Sequence, residues 1–332
     1  MTGTNGVAVI GAGAWGTAIA QVLAAEGRDV ALWARRQDVV SAIAHAGENT
    51  PCLPGIRLAP SLHASTDLAA SLAGRGVAVL AVPTQFCAEV AARMHATGFH
   101  GDTILAAKGF ERGTGRLPSE AVAAALPGAP LAVLSGPGFA RDVARGLPTA
   151  VVLAATGMDR ARRLAAAVAT SRLRVYASDD VVGVQVGGAL KNVVAIACGI
   201  VAGRGLGESA RAALLTRGLA EMARLGEALG ARRGTLMGLS GLGDLALTCA
   251  SEQSRNFALG LALGRGARME DLMRDRRSVV EGVATAAAVV ELARGRGIGM
   301  PIAEAVDAIL HRGVAIDEAI AALMARPLRE EG

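Results

Sequence analysis

Residues 7–20 read VAVIGAGAWGTAIA: an apolar run with β-branched residues, a glycine-rich turn and an alanine-rich segment. The pattern predicts a strand over Gly6–Ile10 that leads directly into a helix over Gly16–Glu26. The turn between them carries the spacing GxGxxG. At this position, after a strand and before a helix, the spacing is typical of a dinucleotide-binding βαβ unit. The alternative is a glycine turn in an α/β domain that binds no ligand.

Each position of the turn has a physical reason. Gly11 permits the tight turn, Gly13 lets a pyrophosphate approach the backbone, and Gly16 lets the helix pack closely on the strand. Ala14 stands where the helix begins, and free N–H groups with partial positive charge at that end favour phosphate. These four residues are therefore predicted to bind the cofactor.

The end of the second predicted strand indicates which nicotinamide cofactor is used. An Asp or Glu there bonds the ribose 2′-hydroxyl of NAD. This chain instead has Arg35 and Arg36, and two cations suit the 2′-phosphate of NADP. We therefore expect NADP to be preferred. Asp38 is interpreted as the N-cap of the next helix, but its carboxylate keeps the use of NAD possible. The alternative for the two arginines is that they lie in a solvated loop and bind no cofactor.

Short apolar runs alternate with alanine-rich helical runs until about Ser178. This alternation predicts an α/β fold with a mainly parallel sheet covered on both faces. After Ser178 the strand signal stops, and the rest is predicted to be helical, with Asp179 as N-cap of the first helix. We expect two domains, over residues 1–182 and 183–332. The further predicted strands are Val30–Trp33, Val77–Val82, Thr103–Ala106, Leu131–Leu134, Ala150–Ala154 and Leu173–Tyr176.

Composition excludes several classes of function. The net charge is +5, but the arginines are scattered and only eight residues are aromatic, so a nucleic-acid partner is not expected. The four cysteines are far apart and the histidines form no ligand pattern, so no metal site is expected. The N-terminus has no signal-peptide pattern, and apolar stretches such as Val193–Ala202 are too short to span a bilayer. These features predict a cytoplasmic protein without stable membrane insertion.

Only two of the 34 Lys and Arg residues are lysines. Lys108 follows a predicted strand at its carboxyl end, where open α/β sheets place ligands. Lys191 lies in a predicted helix that is apolar on nearly all faces, behind Gly187 and Gly188, which would let another element approach. Burial there would lower the lysine pKa toward the working pH of a general acid or base. The alternative explanation for the scarcity of lysine is chance under a GC-rich codon bias. The alternative for Lys191 is a side chain that snorkels to solvent at the domain junction.

Two later segments add polar groups to glycine-rich or helix-start settings. Asp244 is the one carboxylate in the apolar turn Gly238–Leu245. Ser254, Arg255 and Asn256 stand where a helix is predicted to begin, with Ser254 as N-cap. A hydroxyl, a guanidinium, an amide and a helix N-terminus together suit a phosphate group. An ordinary capped surface helix is the alternative.

These motifs together resemble the bacterial type of NAD(P)-dependent glycerol-3-phosphate dehydrogenase. The likeness is collinear and covers nearly the whole chain. Its stretches are GAGAWGTAIA (11–20), PCLPGIRL (51–58), AVPTQ (81–85), AKGFE (107–111), SGPGFA (135–140), DVVGVQVGGALKNVVAIACGI (180–200), TRGLAEMARLG (216–226), GLSGLGDLALTCASEQSRN (238–256) and VVEGVATA (279–286).

The resemblance implies an N-terminal Rossmann-type doubly wound sheet, an all-α C-terminal domain and an active site between them. It implies interconversion of dihydroxyacetone phosphate and sn-glycerol 3-phosphate for phospholipid synthesis, and a homodimer. It identifies Lys191 as proton donor and acceptor, with Lys108 beside substrate and nicotinamide and Asp244 orienting a lysine or binding a hydroxyl. The implied substrate ligands are Lys108, Gly136, Lys191, Asp244, Ser254, Arg255 and Asn256. The implied cofactor contacts beyond the glycine turn are Trp15, Arg35, Arg36, Lys108, Ala140, Arg255, Val279 and Glu281.

Two departures from the family pattern affect substrate fit. The family usually has serine or threonine where this chain has Gly138, so a hydroxyl to the substrate would be missing. The segment 201–209 also differs from the family's usual sequence. Two other functions stay open: a 3-hydroxyacid or 6-phosphogluconate type dehydrogenase, and a non-catalytic nicotinamide sensor that binds a protein partner.

Overall fold

The computed structural model describes residues 6–274 and 280–327, apart from the side chain of Met273. Within these residues all eight strands lie before residue 179 and belong to one sheet. The strands are β1 (Gly6–Ile10), β2 (Asp29–Trp33), β3 (His63–Ser65), β4 (Val77–Leu80), β5 (Asp102–Leu105), β6 (Leu131–Ser135), β7 (Thr149–Ala155) and β8 (Leu173–Ser178).

The sheet has the order β3-β2-β1-β4-β5-β6-β7-β8, and every neighbouring pair is parallel except β6 and β7. The order reverses at β1, which pairs with both β2 and β4, and ligands of open α/β sheets bind beside such a reversal. The predicted mainly parallel sheet is therefore confirmed. Strand β3 was not predicted, because its three residues, His63–Ser65, are partly exposed and form no apolar run.

Helices cover the sheet and form all the described regular structure after residue 180. A 3₁₀ turn at Thr84–Phe86 and a π-helix at Leu239–Gly243 interrupt the series. The α-helices are α1 (Ala14–Ala24), α2 (Gln37–Ala46), α3 (Leu68–Leu72), α4 (Cys87–Ala96), α5 (Pro118–Ala125), α6 (Ala140–Ala144), α7 (Met158–Val168), α8 (Val181–Gly203), α9 (Gly207–Ala228), α10 (Arg233–Leu236), α11 (Asp244–Cys249), α12 (Arg255–Gly264), α13 (Met269–Arg274), α14 (Glu281–Arg294), α15 (Pro301–His311) and α16 (Ile316–Met324).

Helix α8 is the axis of the C-terminal part, and almost every one of its residues is buried. Its length and apolar composition would suffice to cross a membrane, but 89% of its most apolar window is buried inside the protein, which is the burial of a core helix. The predicted N-cap, Asp179, is wrong by one residue. Asp180 caps the helix, since its carboxylate accepts from the Gly183 N–H at 2.8 Å. The proposed domain division after residue 182 falls in the first turn of α8.

Helices α8 and α12 pack backbone against backbone along four glycines. A Cβ on Gly260 would lie 2.0 Å from the Ile196 carbonyl oxygen, and one on Gly199 would lie 2.2 Å from that of Phe257. Gly203 and Gly264 repeat this approach one turn later. Because no side chain separates the helices, α12 is held at a fixed depth against α8. We call this contact the glycine seam.

Candidate active site

The glycine turn has the shape that a pyrophosphate needs. Gly11 has φ +118°, and a Cβ there would lie 2.7 Å from the Ala81 oxygen; a Cβ on Gly16 would lie 1.9 Å from the Gly11 oxygen. A Cβ on Gly13 would meet nothing within 4 Å. The space above Gly13 is therefore open, at the N-terminus of α1, which begins at Ala14. This cradle fits a dinucleotide phosphate.

The two arginines after β2 differ in their surroundings. Arg36 forms an exposed ion pair with Asp38, with the guanidinium Nε 2.9 Å from Oδ1, so its guanidinium is already engaged by a carboxylate. Arg35 instead places its guanidinium 5.7 Å from the centre of the Phe86 ring. The interpretation of Asp38 as an N-cap is wrong, because α2 begins one residue earlier, at Gln37, and the side chain of Asp38 turns back to Arg36.

One carboxylate joins the two lysines. Lys191 Nζ lies 2.5 Å from Asp244 Oδ1 and 2.9 Å from the Thr248 hydroxyl. Lys108 Nζ lies 2.7 Å from Asp244 Oδ2 and 3.1 Å from the Gly136 carbonyl oxygen. Two residues separated by 83 positions are thus brought to the same carboxylate, between the sheet and the helical part of the chain.

Burial sets the pKa of the Lys191 ammonium. Lys191 and Asp244 are both buried, and Asp244 is only 1% exposed. Burial lowers the pKa of Lys191 to about 8, against the opposing pull of the Asp244 charge, and the positive charge of Lys108 lowers it further. A lysine with a pKa near 8 can give a proton as the ammonium and take one as the neutral amine near neutral pH.

Close backbone approaches carry Asp244 into this position. Asp244 follows the π-helix Leu239–Gly243, and a Cβ on Gly187 of α8 would lie 2.5 Å from the Ser240 carbonyl oxygen. A Cβ on Gly188 would lie 2.5 Å from the Ser135 hydroxyl of β6. The elements expected to approach Gly187 and Gly188 are therefore the π-helix and the end of β6.

A closed set of hydrogen bonds holds the backbone of Lys108. Its N–H donates to Glu281 Oε2 at 3.1 Å, and its carbonyl accepts from Asn192 Nδ2 at 3.0 Å. Asn256 Nδ2 donates to Asn192 Oδ1 at 2.9 Å, and the Gly282 N–H donates to Asn256 Oδ1 at 3.1 Å. Three helices, α8, α12 and α14, therefore hold the backbone of one residue of the sheet domain, and we call this set of hydrogen bonds the Lys108 clamp.

Glu281 makes a second contact across the two parts of the chain. Its Oε1 accepts from the Thr84 N–H at 2.8 Å and from the Thr84 hydroxyl at 3.2 Å. Burial raises the pKa of Glu281, and these hydrogen bonds and the nearby Arg255 charge oppose that rise. The structure thus places this predicted cofactor contact beside the Lys108 backbone.

The triplet at the start of α12 divides into three different roles. The Ser254 hydroxyl accepts from the Phe257 N–H at 3.2 Å, so Ser254 is the N-cap, as predicted. Asn256 belongs to the Lys108 clamp. Arg255 is exposed, and within residues 6–274 and 280–327 its guanidinium has no hydrogen bond or ion pair. Of the three, Arg255 is the group available to an anionic ligand.

Of the remaining predicted residues, Trp15 lies beside the Lys108 ammonium. The Lys108 Nζ lies 5.7 Å from the centre of the Trp15 ring. A Cβ on Gly138 would lie 3.2 Å from Cη2 of the same ring. The indole of Trp15 therefore lies close to the position that a side chain at residue 138 would take. Ala140 begins α6. Val279, predicted to contact the cofactor, lies outside the described residues.

The structure brings three further residues to the site that were not predicted from the sequence: Thr248, Asn192 and Thr84. Thr248 stands four residues after Asp244, a spacing that puts both on one face of a helix. Asn192 directly follows Lys191 and is a second polar residue in an apolar helix. Both signals are local and visible in the sequence, whereas nothing local marks Thr84.

Comparison with known proteins gives matches over most of the chain. Family models for the N-terminus and the C-terminus of NAD-dependent glycerol-3-phosphate dehydrogenase match residues 6–161 and 180–321. The protein named glycerol-3-phosphate dehydrogenase (NAD(P)+) of Rhodospirillum rubrum is 54% identical over 328 residues, which cover 98% of this chain and 94% of that protein. The protein of the same name in Novosphingobium aromaticivorans is 53% identical, with 98% of each chain covered.

Solved structures of glycerol-3-phosphate dehydrogenases are similar to this chain over nearly its whole length. The crystal structure of glycerol-3-phosphate dehydrogenase from Coxiella burnetii is similar with a TM-score of 0.92 and 41% identity, covering 97% of this chain and 99% of the other. The structure of glycerol-3-phosphate dehydrogenase from Saccharomyces cerevisiae has a TM-score of 0.80 and 28% identity, covering 95% of this chain and 98% of the other.

Proposed function

The chain belongs to the NAD-dependent glycerol-3-phosphate dehydrogenase family, and we propose that it reduces dihydroxyacetone phosphate to sn-glycerol 3-phosphate with NAD(P)H, using Lys191 as general acid. The observation that carries the proposal is the Asp244 carboxylate shared by Lys191 and Lys108. A buried carboxylate with two ammonium groups leaves one positive charge, and this excess suits an oxygen that becomes negative during the reaction.

The residues divide the chemistry as follows. Bound NAD(P)H supplies the hydride. Lys191 gives its proton to the carbonyl oxygen as that oxygen gains charge, and it takes the proton back in the reverse reaction. Lys108 adds positive charge on the other side of the Asp244 carboxylate, and Thr248, 2.9 Å from Lys191 Nζ, helps to orient the ammonium.

The phosphate of the substrate is assigned to the start of α12. Arg255 is the exposed cation there, and the helix N-terminus adds partial positive charge. Ser254 and Asn256 are proposed substrate ligands as well, although in the structure their side chains cap α12 and join the Lys108 clamp. A grip on the phosphate, remote from the reacting carbon, fixes the geometry of the substrate.

The cofactor site is proposed to use Gly11, Gly13, Ala14 and Gly16 at the pyrophosphate. Trp15, Ala140, Val279 and Glu281 are further proposed contacts. The chain uses NAD(P), in keeping with its family, and the preference for NADP is our proposal. Its support is the position of Arg35 after β2, where a cation suits the 2′-phosphate.

The unequal surroundings of the two arginines give a measurable expectation. Arg35→Ala is expected to raise KM for NADPH roughly tenfold, the range of one exposed charge contact, and to leave KM for NADH nearly unchanged. Arg36→Ala should change KM for NADPH less, because the Arg36 guanidinium is already paired with Asp38. Steady-state kinetics with both nucleotides check this, and equal effects of the two substitutions would contradict it.

The pKa of Lys191 predicts opposite pH profiles for the two directions. The lysine must be protonated to reduce the ketone, so the reduction rate is expected to fall as pH rises through about 8. Oxidation of sn-glycerol 3-phosphate needs the neutral amine and should rise through the same pH. Measuring kcat in both directions from pH 6 to 10 tests the sign. A reduction rate that increases through pH 8 would rule out this role for Lys191.

The function itself is tested by following NADPH oxidation with dihydroxyacetone phosphate, and separately with 3-keto acids. Turnover restricted to the triose phosphate supports the proposal. Preference for the keto acids would identify a 3-hydroxyacid type dehydrogenase. Binding of NADPH without turnover of any ketone would identify a nicotinamide sensor.

We further propose a cytoplasmic homodimer that supplies the glycerol phosphate backbone of phospholipids. The small-molecule substrate follows from the family. The cytoplasm is supported by the four free cysteines, three of them buried, which suit a reducing compartment. The dimer rests on the family resemblance.

A further inference from the structure

Asn49 lies directly beneath the glycine turn, although it is distant from it in sequence. It is fully buried. Its side-chain Nδ2 donates to the Ala12 carbonyl oxygen at 2.9 Å and to the Thr17 hydroxyl at 2.7 Å. Ala12 is the residue between the first two glycines of the turn, and Thr17 lies in the first turn of α1. Asn49 therefore joins the turn to the helix that follows it.

The contact fixes the direction of one peptide group. A trans peptide is planar, and its C=O and N–H point to opposite sides. Asn49 holds the Ala12 oxygen toward the protein interior, so the Gly13 N–H of the same peptide points outward. Gly13 is exposed, and a Cβ on it would meet nothing within 4 Å, so there is open space beside this peptide. Within the described ranges, 6–274 and 280–327, no protein group accepts from this N–H.

We propose that Asn49 is a positioning residue for the cofactor: it keeps the Ala12–Gly13 peptide turned so that its N–H faces the pyrophosphate. This inference rests on the proposed use of NAD(P). Without the Asn49 amide, the Ala12 oxygen is left buried without its side-chain donor. Rotation of the peptide would relieve this, but it would present a carbonyl oxygen to the anionic phosphate.

The surrounding segment supplies a matched control. Residues 47–62 cross α1 and are anchored by the buried side chains of Leu53, Ile56 and Leu58. A second side-chain bond ties the segment to α1, from the Ala59 N–H to Gln21 Oε1 at 2.6 Å. Gln21 is buried like Asn49, but it lies in the second half of α1, away from the glycine turn. Loss of this bond should loosen the segment without turning the Ala12–Gly13 peptide.

The test compares Asn49→Ala with Gln21→Ala by isothermal titration calorimetry with NADPH and with NADH, and by thermal unfolding. Both variants are expected to lower Tm by similar amounts. Asn49→Ala should raise the Kd of both nucleotides by the same factor, roughly tenfold or more, because both carry the pyrophosphate. Gln21→Ala should leave both values near wild type. The near-isosteric Asn49→Leu, which has no side-chain donor for the Ala12 oxygen, should weaken binding at least as much as Asn49→Ala.

Each other outcome has a definite meaning. Wild-type Kd values in Asn49→Ala or Asn49→Leu would overturn the inference, as would equal weakening by Gln21→Ala, which would show only general loosening of the segment. Weakening confined to NADPH would point to the 2′-phosphate instead and would also overturn it. If the wild-type protein binds neither nucleotide, the proposed function fails rather than the role of Asn49.

Discussion

Lys191→Ala is expected to lower kcat for reduction of dihydroxyacetone phosphate by roughly 100- to 10,000-fold, the usual contribution of a positioned general acid. The Kd for NADPH should stay within about twofold of wild type, because Lys191 contacts Asp244 and Thr248 and no residue of the glycine turn. Rapid-mixing kinetics with saturating NADPH, together with calorimetric binding, separate the two effects.

Lys191→Arg is the sharper companion to this variant. It keeps a positive charge beside Asp244, but a guanidinium does not readily give up a proton. We therefore expect a loss of kcat close to that of Lys191→Ala. If Lys191→Arg retained most of the activity, the side chain would act through its charge alone, and a different proton donor would be required. Near-normal turnover in Lys191→Ala would reject the assignment entirely.

Gly260→Ala should produce a large loss of stability from the addition of a single methyl group. The new Cβ would lie 2.0 Å from the Ile196 carbonyl oxygen, and neither backbone can move without separating α12 from α8. Overpacking of this kind costs about 3 kcal/mol or more, and Tm is expected to fall by roughly 5–10 °C. Since α12 begins at Arg255, KM for dihydroxyacetone phosphate should rise as well.

Gly234→Ala is the matched control for this effect. Gly234 also lies in a helix, α10, but a Cβ there would meet nothing within 4 Å. Alanine is favoured over glycine in helices by up to about 1 kcal/mol, so Tm should stay the same or rise slightly. Differential scanning fluorimetry measures Tm for both variants and tests this difference. Similar Tm values for Gly260→Ala and Gly234→Ala would show that the seam can open at little cost.

Much of the fold follows from local sequence patterns. The glycine turn, the apolar strand runs and the end of the strand signal near Ser178 predicted a mainly parallel sheet followed by helices, which the structure confirms. These features depend on periodicity and on single residues with unusual backbone angles, such as Gly11. The antiparallel β7 and the short β3 depend on tertiary pairing, which no local pattern encodes.

The site was predictable to the extent that rare residues marked it. The two lysines and Asp244 stood out because each is a charge in an apolar setting, and the structure brings all three together. The position of Asn256 in the Lys108 clamp, and the different partners of Arg35 and Arg36, depend on contacts that only the folded chain supplies. Asn49 could not have been found, because nothing near it in sequence indicates that it lies under the turn.

The Lys108 clamp limits how the chain can be divided for engineering. The lysine belongs to the sheet half, but both polar atoms of its backbone are satisfied by Glu281 and Asn192 of the helical half. A chimaera that exchanges the nucleotide-binding half between relatives must therefore preserve the match between the loop around Lys108 and these two side chains. Recombination points placed at the end of β8 would be tolerated only between parents that share this pairing.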